Sequence, residues 1–300
     1  MCAIAEYGGN SLMTSYYHHY YLITQDQFAA LRPAMQFRVV QTKEDSDAHF
    51  AHELAALIRA NNEQGQKTKV ILPVGPLDYR PFAELCNQQR LSCRDLFVFM
   101  MDEYCNDDGS IVPRDHPLSF HAFMDRQFIQ LIDEDLRPPP DQIVFPDPQD
   151  PQATGRLMLE LGGIDVCYGG FGINGHFAFN DPPEPGEQAD IKSIRHSTTR
   201  LVSISRETIT QTAMGGTGGN LELALRRAVT LGMQELLSAR EIHLYFMRTW
   251  HAAVMRRALL GPVTPAFPAS FVQQHPKVEV TMTAYVAALP MLKVTQAIGT

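Results

Sequence analysis

Two short stretches of this sequence carry side chains able to move protons. Asp102 and Glu103 follow directly on the apolar run DLFVFMM at residues 95–101. A carboxylate at the mouth of a covered strand is partly desolvated, which raises its pKa and makes it a better proton acceptor near neutrality. The same pair equally suits a loop cap that faces water. The segment GGFGINGHFAFND at residues 169–181 is sharper. Gly169, Gly170, Gly172 and Gly175 impose a tight turn where the backbone approaches something closely. His176 is held on that turn, and Asp181 follows, where a carboxylate can fix the tautomer of the imidazole and stabilise its charged form. The plainer alternative is a structural loop whose histidine satisfies backbone carbonyls.

Other chemistries lack their signatures. There is no Walker A lysine motif, no GxGxxG followed by a helix, no GxSxG elbow and no HExxH. The five cysteines are scattered and form neither a CxxC pair nor a zinc pattern, so reduced thiols are expected, with Cys105 the one nearest a motif. No metal and no dissociable cofactor are expected. His18 and His19 stand in a Tyr/His cluster with Tyr16, Tyr17, Tyr20 and Tyr21, but no carboxylate is arranged around them.

The elements that must position these residues alternate between strand and helix. Strands are expected at 37–41, 69–73, 95–101, 142–145, 164–168, 201–205, 228–231, 241–247 and 277–282. Helices are expected at 44–60, 81–89, 117–132 and 250–260. The continuous apolar run at 95–101 reads as a central parallel strand covered on both faces. Such alternation implies right-handed crossovers and a mostly parallel α/β sheet flanked by helices, with ligands beyond the carboxyl ends of the strands. Residues 1–35 read as an N-terminal extension, a contact for a neighbouring subunit or a loose arm, and residues 36–300 as one α/β domain. The proline-rich stretch at 138–151 reads as a surface connection. The glycines of residues 215–219 suit either a flexible loop or a backbone-amide cradle for an anion.

Composition narrows the partners. Hydrophobic residues make up 45% and charged residues 19% of the 300, an ordinary globular balance. The net charge of −8 and the lack of a dense Lys/Arg run argue against nucleic acid. Neither a signal peptide nor a run of apolar residues long enough to span a bilayer occurs, so no membrane association and a cytoplasmic location are expected.

Taken together, ILPVGP at 71–76, FMMDEY at 99–104, DHPLSFHAFM at 115–124, GGFGINGHFAFND at 169–181, AVTLGMQELLSAREI at 228–242 and QQHPKVEV at 273–280 resemble the glucosamine-6-phosphate deaminase/isomerase family. The resemblance spans about residues 36 to 285 and implies a Rossmann-like fold. The related 6-phosphogluconolactonases follow their Gly-His pair with a TASLFP-like segment that is absent here. The resemblance implies an amino-sugar phosphate isomerase/deaminase, commonly homo-oligomeric, acting on a sugar or sugar phosphate. By matching position, Asp102 would be the base between C2 and C1, His176 the ring-opening acid/base, and Asp181 and Asn174 its charge-balancing partners. Gly75, Arg80, Glu103, Gly170, Gly172, Gly175 and His251 would contact substrate.

The departures from the family pattern are specific. Asn174 replaces an aspartate and cannot carry charge. Asp181 replaces a glutamate and is one methylene shorter. The phosphate loop reads Val74, Gly75, Pro76, Leu77, with a hydroxyl lost and no amide hydrogen on Pro76. An arginine falls near Met214 and a lysine at His251, which leaves Arg80, Arg248 or the amides of 215–219 as substitutes for anion binding. A non-catalytic sugar-binding homologue and a lactonase-like hydrolase are the two alternatives.

Overall fold

Every residue of Thr68–Leu72 is buried, so this segment can lie only where both faces of a sheet are covered. The computed structural model describes residues 18–290 apart from Gln188, and it sets this strand inside a seven-stranded sheet. In chain order the principal elements are β1 (Met35–Val40), α1 (Lys43–Glu63), β2 (Thr68–Leu72), α2 (Arg80–Gln89), β3 (Leu96–Met100), β4 (Asp102–Cys105) and α3 (Phe120–Gln127). They continue with β5 (Ile143–Val144), α4 (Gln152–Glu160), β6 (Val166–Gly169), β7 (Arg200–Ser203), α5 (Arg206–Gly216) and β8 (Arg227–Thr230). The last are α6 (Met233–Leu237), β9 (Glu241–Phe246), α7 (His251–Leu260) and β10 (Val278–Thr283).

The large sheet runs β1-β10-β9-β6-β2-β3-β5, and every neighbouring pair in it is parallel. From β2 the chain proceeds to β3 on one side, whereas β9 lies beside β6 on the other. The connections after β2 and β6 therefore diverge and leave a crevice at their carboxyl ends. Those connections are the 73–77 loop and the glycine turn. Helices cover the sheet for ordinary reasons. Thr42 caps α1, accepting from the Asp45 amide at 3.1 Å while the Asp45 carboxylate accepts from the Thr42 amide at 3.0 Å. Phe50, Leu54 and Ile58 then recur at four-residue spacing and bury one stripe of the helix.

Beside this parallel sheet stands a second, antiparallel one, β4-β8-β7, which the strand–helix alternation does not announce. Met101 is the pivot: its amide donates to Leu72 O at 3.1 Å in the large sheet, and its carbonyl accepts from Leu231 N at 2.7 Å in the small one. Asp102 and Glu103 thus stand on a strand, not in a loop. The apolar run before them lies second from the sheet edge rather than at its centre. The helix expected from Pro117 begins at Phe120, capped by Ser119, whose hydroxyl accepts from the Ala122 amide at 3.3 Å. Gly215 and Gly216 close the last turn of α5, and the amides of Thr217 and Gly219 both donate to Ala213 O. The 215–219 segment is therefore a helix end in which the amides of Thr217 and Gly219 are already committed.

Of the Tyr/His cluster, Tyr16 and Tyr17 lie outside the described residues. From His18 onward the extension packs on its own chain, with Tyr20 and Phe28 buried. Its anchor is Arg256, which is wholly buried. The guanidinium donates to the carbonyls of Ile23, Ala252, Val286 and Ala287 and lies 5.1 Å from the Phe28 ring. One side chain thus joins the extension, α7 and the segment after β10. Replacing Arg256 with Met keeps the bulk and orphans the carbonyls of Ile23, Val286 and Ala287, each worth about 1–3 kcal/mol when buried without a donor. The expected result is a loss of roughly 3 kcal/mol or more in urea unfolding. A loss below about 1 kcal/mol would show that water or a rearranged backbone replaces the guanidinium.

Candidate active site

A cavity of about 530 Å³ fills the crevice between the connections after β2 and β6. Asp102 and His176 both line it. They arrive from separate sheets and are brought together by the Met101 pivot on one side and the glycine turn on the other.

Asp102 is 7% exposed, with its side chain on the cavity face of β4. Burial, and then the charge of Glu103, pushes its carboxyl up to about 8, with the Phe179 amide opposing. A strand alternates its side chains, so Glu103 must point the other way. Glu103 is fully buried and does not line the cavity. Its carboxylate accepts from the amides of Tyr104 (2.8 Å), Phe120 (2.9 Å) and His121 (2.8 Å), and from His121 Nδ1 at 2.6 Å. The residue expected to touch substrate instead fixes the start of α3. Cys105, on the same inner face, is buried, which pushes its thiol up to about 11 and leaves it unreactive at neutral pH.

The glycine turn closes through Gly172 N to His176 O at 3.0 Å and Gly175 N to Gly172 O at 2.9 Å. A Cβ on Gly172 would lie 1.9 Å from His176 Cε1, so only glycine lets the imidazole rest over the turn. Gly175 has φ +86, and a Cβ there would meet the Phe267 ring at 2.4 Å. It shapes the turn without lining the cavity, contrary to the expected substrate contact. Gly75, Gly170 and Gly172 do line it.

His176 Nδ1 lies 2.9 Å from Asn174 Oδ1, 2.8 Å from Thr208 Oγ1 and 3.3 Å from Asp181 Oδ1. Asn174 Nδ2 donates to Asp181 at 2.8 Å, and the Thr208 hydroxyl donates to Asp181 at 2.5 Å. The Asn174 and Thr208 oxygens near the ring are therefore acceptors, which places the proton on Nδ1. Nε2, which has no protein partner among the described residues, is left to exchange a proton with a ligand. Asp181 Oδ2 also accepts from the Ser205 amide at 2.9 Å, at the N-terminus of α5. Burial alone would raise the Asp181 carboxyl, but His176, the Ser205 amide and the Thr208 hydroxyl outweigh it and hold it at about 2.

Thr208 and Ser205 were not singled out in the sequence. The signal was a Ser-x-x-Thr start with Glu207 in the first turn, but Thr208, Ile209, Thr210 and Thr212 are β-branched and weaken the helical reading.

The distal end of the cavity differs from the positional expectation. His251 is buried, accepts from the amides of Met247 and Arg248 through Nδ1 (both 3.1 Å), and is lowered to about 3 by burial and then by the Arg248 charge. It is neutral and cannot replace a lysine. Arg80 does not reach the cavity: its exposed side chain pairs with Asp78. Met214 is exposed and also lies off the cavity wall. Val74, Pro76, Leu77 and Trp250 add apolar wall, and among the described residues that line the cavity the cations are Arg126 and Arg248, both exposed. Among the described residues neither guanidinium forms an ion pair.

No protein-family model matches the chain. It is 35% identical over 217 residues to a glucosamine-6-phosphate deaminase from Rhodopirellula baltica, covering 70% of this chain and 78% of the relative. A glucosamine-6-phosphate deaminase from Caenorhabditis elegans is 30% identical over 245 residues, covering 79% and 85%. Among solved structures, a monomeric glucosamine-6-phosphate deaminase superposes with a TM-score of 0.72 at 26% identity, over 85% of this chain and all of that one. The 6-phosphogluconolactonase of Thermotoga maritima superposes with a TM-score of 0.58 at 16% identity over 83% and 99%, a likeness of fold alone. On the identity and coverage of its relatives, this chain belongs to the glucosamine-6-phosphate deaminase family.

Proposed function

We propose that the protein converts an amino-sugar phosphate to the corresponding ketose phosphate with release of ammonia. The observation that carries this reading is the pairing of a raised carboxyl, Asp102, with an oriented imidazole, His176, on one cavity. In the proposed reaction His176 Nε2 takes the proton of the anomeric hydroxyl and returns it to the ring oxygen, which opens the sugar. The ionised Asp102 removes the C2 proton and delivers it to C1, forming first an enolamine and then an iminium at C2. Water adds to that carbon and ammonia leaves. A base whose pKa is near the working pH suits abstraction from carbon, and the dry setting of Asp102 supplies it. Asn174 does not forbid this chemistry, because Asp181 carries the negative charge and Asn174 and Thr208 link it to the ring.

Arg126 and Arg248 are the proposed contacts for the distal phosphate. Guanidinium groups bind phosphate bidentately, and these two need not break an existing ion pair to do so.

Ammonia release from purified protein tests the proposal, with glucosamine 6-phosphate as the first substrate. Asp102→Asn is expected to lower kcat by at least ~10³-fold, and Gly172→Ala, which displaces the imidazole, to lower kcat/KM by at least ~10²-fold. Stabilisation by sugar phosphates without turnover would return the chain to the binding-protein reading.

The pH dependence follows from the raised carboxyl. Asp102 acts only when ionised, so kcat/KM should fall as pH drops through about 8. The bound ammonium of the substrate favours the carboxylate, so the corresponding limb of kcat should lie at lower pH. An acid limb at the ordinary carboxylate range in kcat/KM would assign the proton transfer to another group.

Each single change of Arg126 or Arg248 to Ala should raise KM about 10-fold or more with little change in kcat, as expected for losing a charge-assisted hydrogen bond remote from the reacting carbons. An unchanged KM in both would place the phosphate elsewhere.

A further inference from the structure

A second group of ionisable side chains lies away from the cavity, on the face of the large sheet beneath α1. His243 on β9 and Glu279 on β10 are partners in the strand register. Helix α1 contributes His49 and Glu53, one turn apart and on the same face. Nitrogen or oxygen atoms of Glu53, His243 and Glu279 all lie within 4.8 Å of one another. His49 Nε2 is 3.3 Å from Glu53 Oε2. None of these residues lines the catalytic cavity.

We propose that Glu53, His243 and Glu279, with His49 as the fourth donor, bind a divalent transition-metal ion of the zinc or manganese class. Imidazole and carboxylate together are the donor set those ions favour. His243 is presented as a ligand would be: its Nδ1 meets Glu53, while Nε2 lies 3.0 Å from Glu241 Oε2. A carboxylate on the far nitrogen fixes the tautomer and raises the basicity of the ligating one. A proton shared by His243 and Glu53 holds the ligands together until the metal displaces it.

Charge and access agree with a cation. Three carboxylates, Glu53, Glu241 and Glu279, face this group, against the cations Arg38 and Lys277. Arg38 opposes a metal, and the carboxylates outnumber it and Lys277. A pocket of about 160 Å³, walled by Gln36, Arg38, Glu279 and Thr281, gives a path to Glu279 from solvent. The hydroxyl of Tyr168 is fully buried close to Glu53 without a hydrogen bond of good geometry, and its ring lies edge-on to His243 at 5.5 Å. Tyr245 donates to Glu53 Oε2 at 3.1 Å. Such an ion would staple α1 to β9 and β10, a structural role separate from the reaction at Asp102.

The test uses the full chain, stripped with chelator and titrated with zinc or manganese chloride by calorimetry and by thermal unfolding. One ion per chain with a dissociation constant below ~10 µM and a raised Tm is expected, with protons released on binding. Glu53→Gln and His243→Gln should each weaken binding at least 10-fold, with apo circular dichroism unchanged. Should either variant fail to fold, Glu279→Gln, at the half-buried end of the group, gives the same readout. The double change His18→Ala, His19→Ala should leave binding intact. No binding by the wild-type chain, equal binding by the Glu53, His243 and Glu279 variants, or loss of binding only in the His18/His19 variant would each overturn the proposal.

Discussion

The geometry of the candidate site depends on one largely buried carboxylate, Asp181. It joins two pieces of chain: the glycine turn, through Asn174 and His176, and the first turn of α5, through the Ser205 amide and the Thr208 hydroxyl. A charge in so dry a place is stable only because donors surround it, and their combined effect holds the carboxyl near 2 despite burial. A permanently ionised Asp181 dictates what its neighbours do. Thr208 and Asn174 must turn their hydrogens toward it, so their oxygens face the ring and the Nδ1 proton is fixed. The tautomer of His176 is thus imposed from beneath by the fold, and Nε2 is presented to the cavity.

Asp102 and Glu103 are adjacent, both buried and chemically alike, yet their environments drive them apart. Backbone amides at the start of α3 and the His121 ring surround Glu103. No comparable set of donors surrounds Asp102, and the fixed charge of Glu103 beside it adds to the cost of ionising it. The alternation of a strand produces this division: one side chain caps a helix and the other meets the cavity. A loop carrying the same two residues would have left both in water.

The outline of the fold was legible because most of its strands are buried on both faces and read as apolar runs. The reading failed where composition and conformation conflict. Asp102 and Glu103 are poor strand formers, so local sequence leaves open whether they end a strand or cap a loop and does not reveal the small antiparallel sheet that carries them. Helix α5 is rich in β-branched residues, so its contribution to the site through Ser205 and Thr208 was also missed. Asp102, His176 and Asp181 stand out as candidates because each is a chemically distinctive residue inside a motif, whereas Asn174 stands out only against the family pattern. Gly175 and Glu103 belong to the same motifs, but serve folding: one avoids the Phe267 ring and the other caps α3. Membership of a motif says that a residue matters, not which neighbour needs it.

His251 makes the same point at the distal end. A lysine at the start of α7 could reach an anion only if its ammonium were free. Here the histidine is turned inward, with Nδ1 bound by the amides of Met247 and Arg248 and its ring edge-on to Phe246 at 5.4 Å. It has become a strut between the end of β9 and the glycine turn. The apolar loop at Val74 and Pro76 fits that change, because a loop lacking hydroxyls gains nothing from a cation facing it. The two departures therefore belong together, as parts of one wall that no longer grips charge. Among the described residues that line this cavity, Arg126 and Arg248 carry the positive charge, and their long side chains keep the guanidinium groups in water. An anion held there would sit at the mouth instead of the floor, and the sugar carbons would extend inward to Asp102.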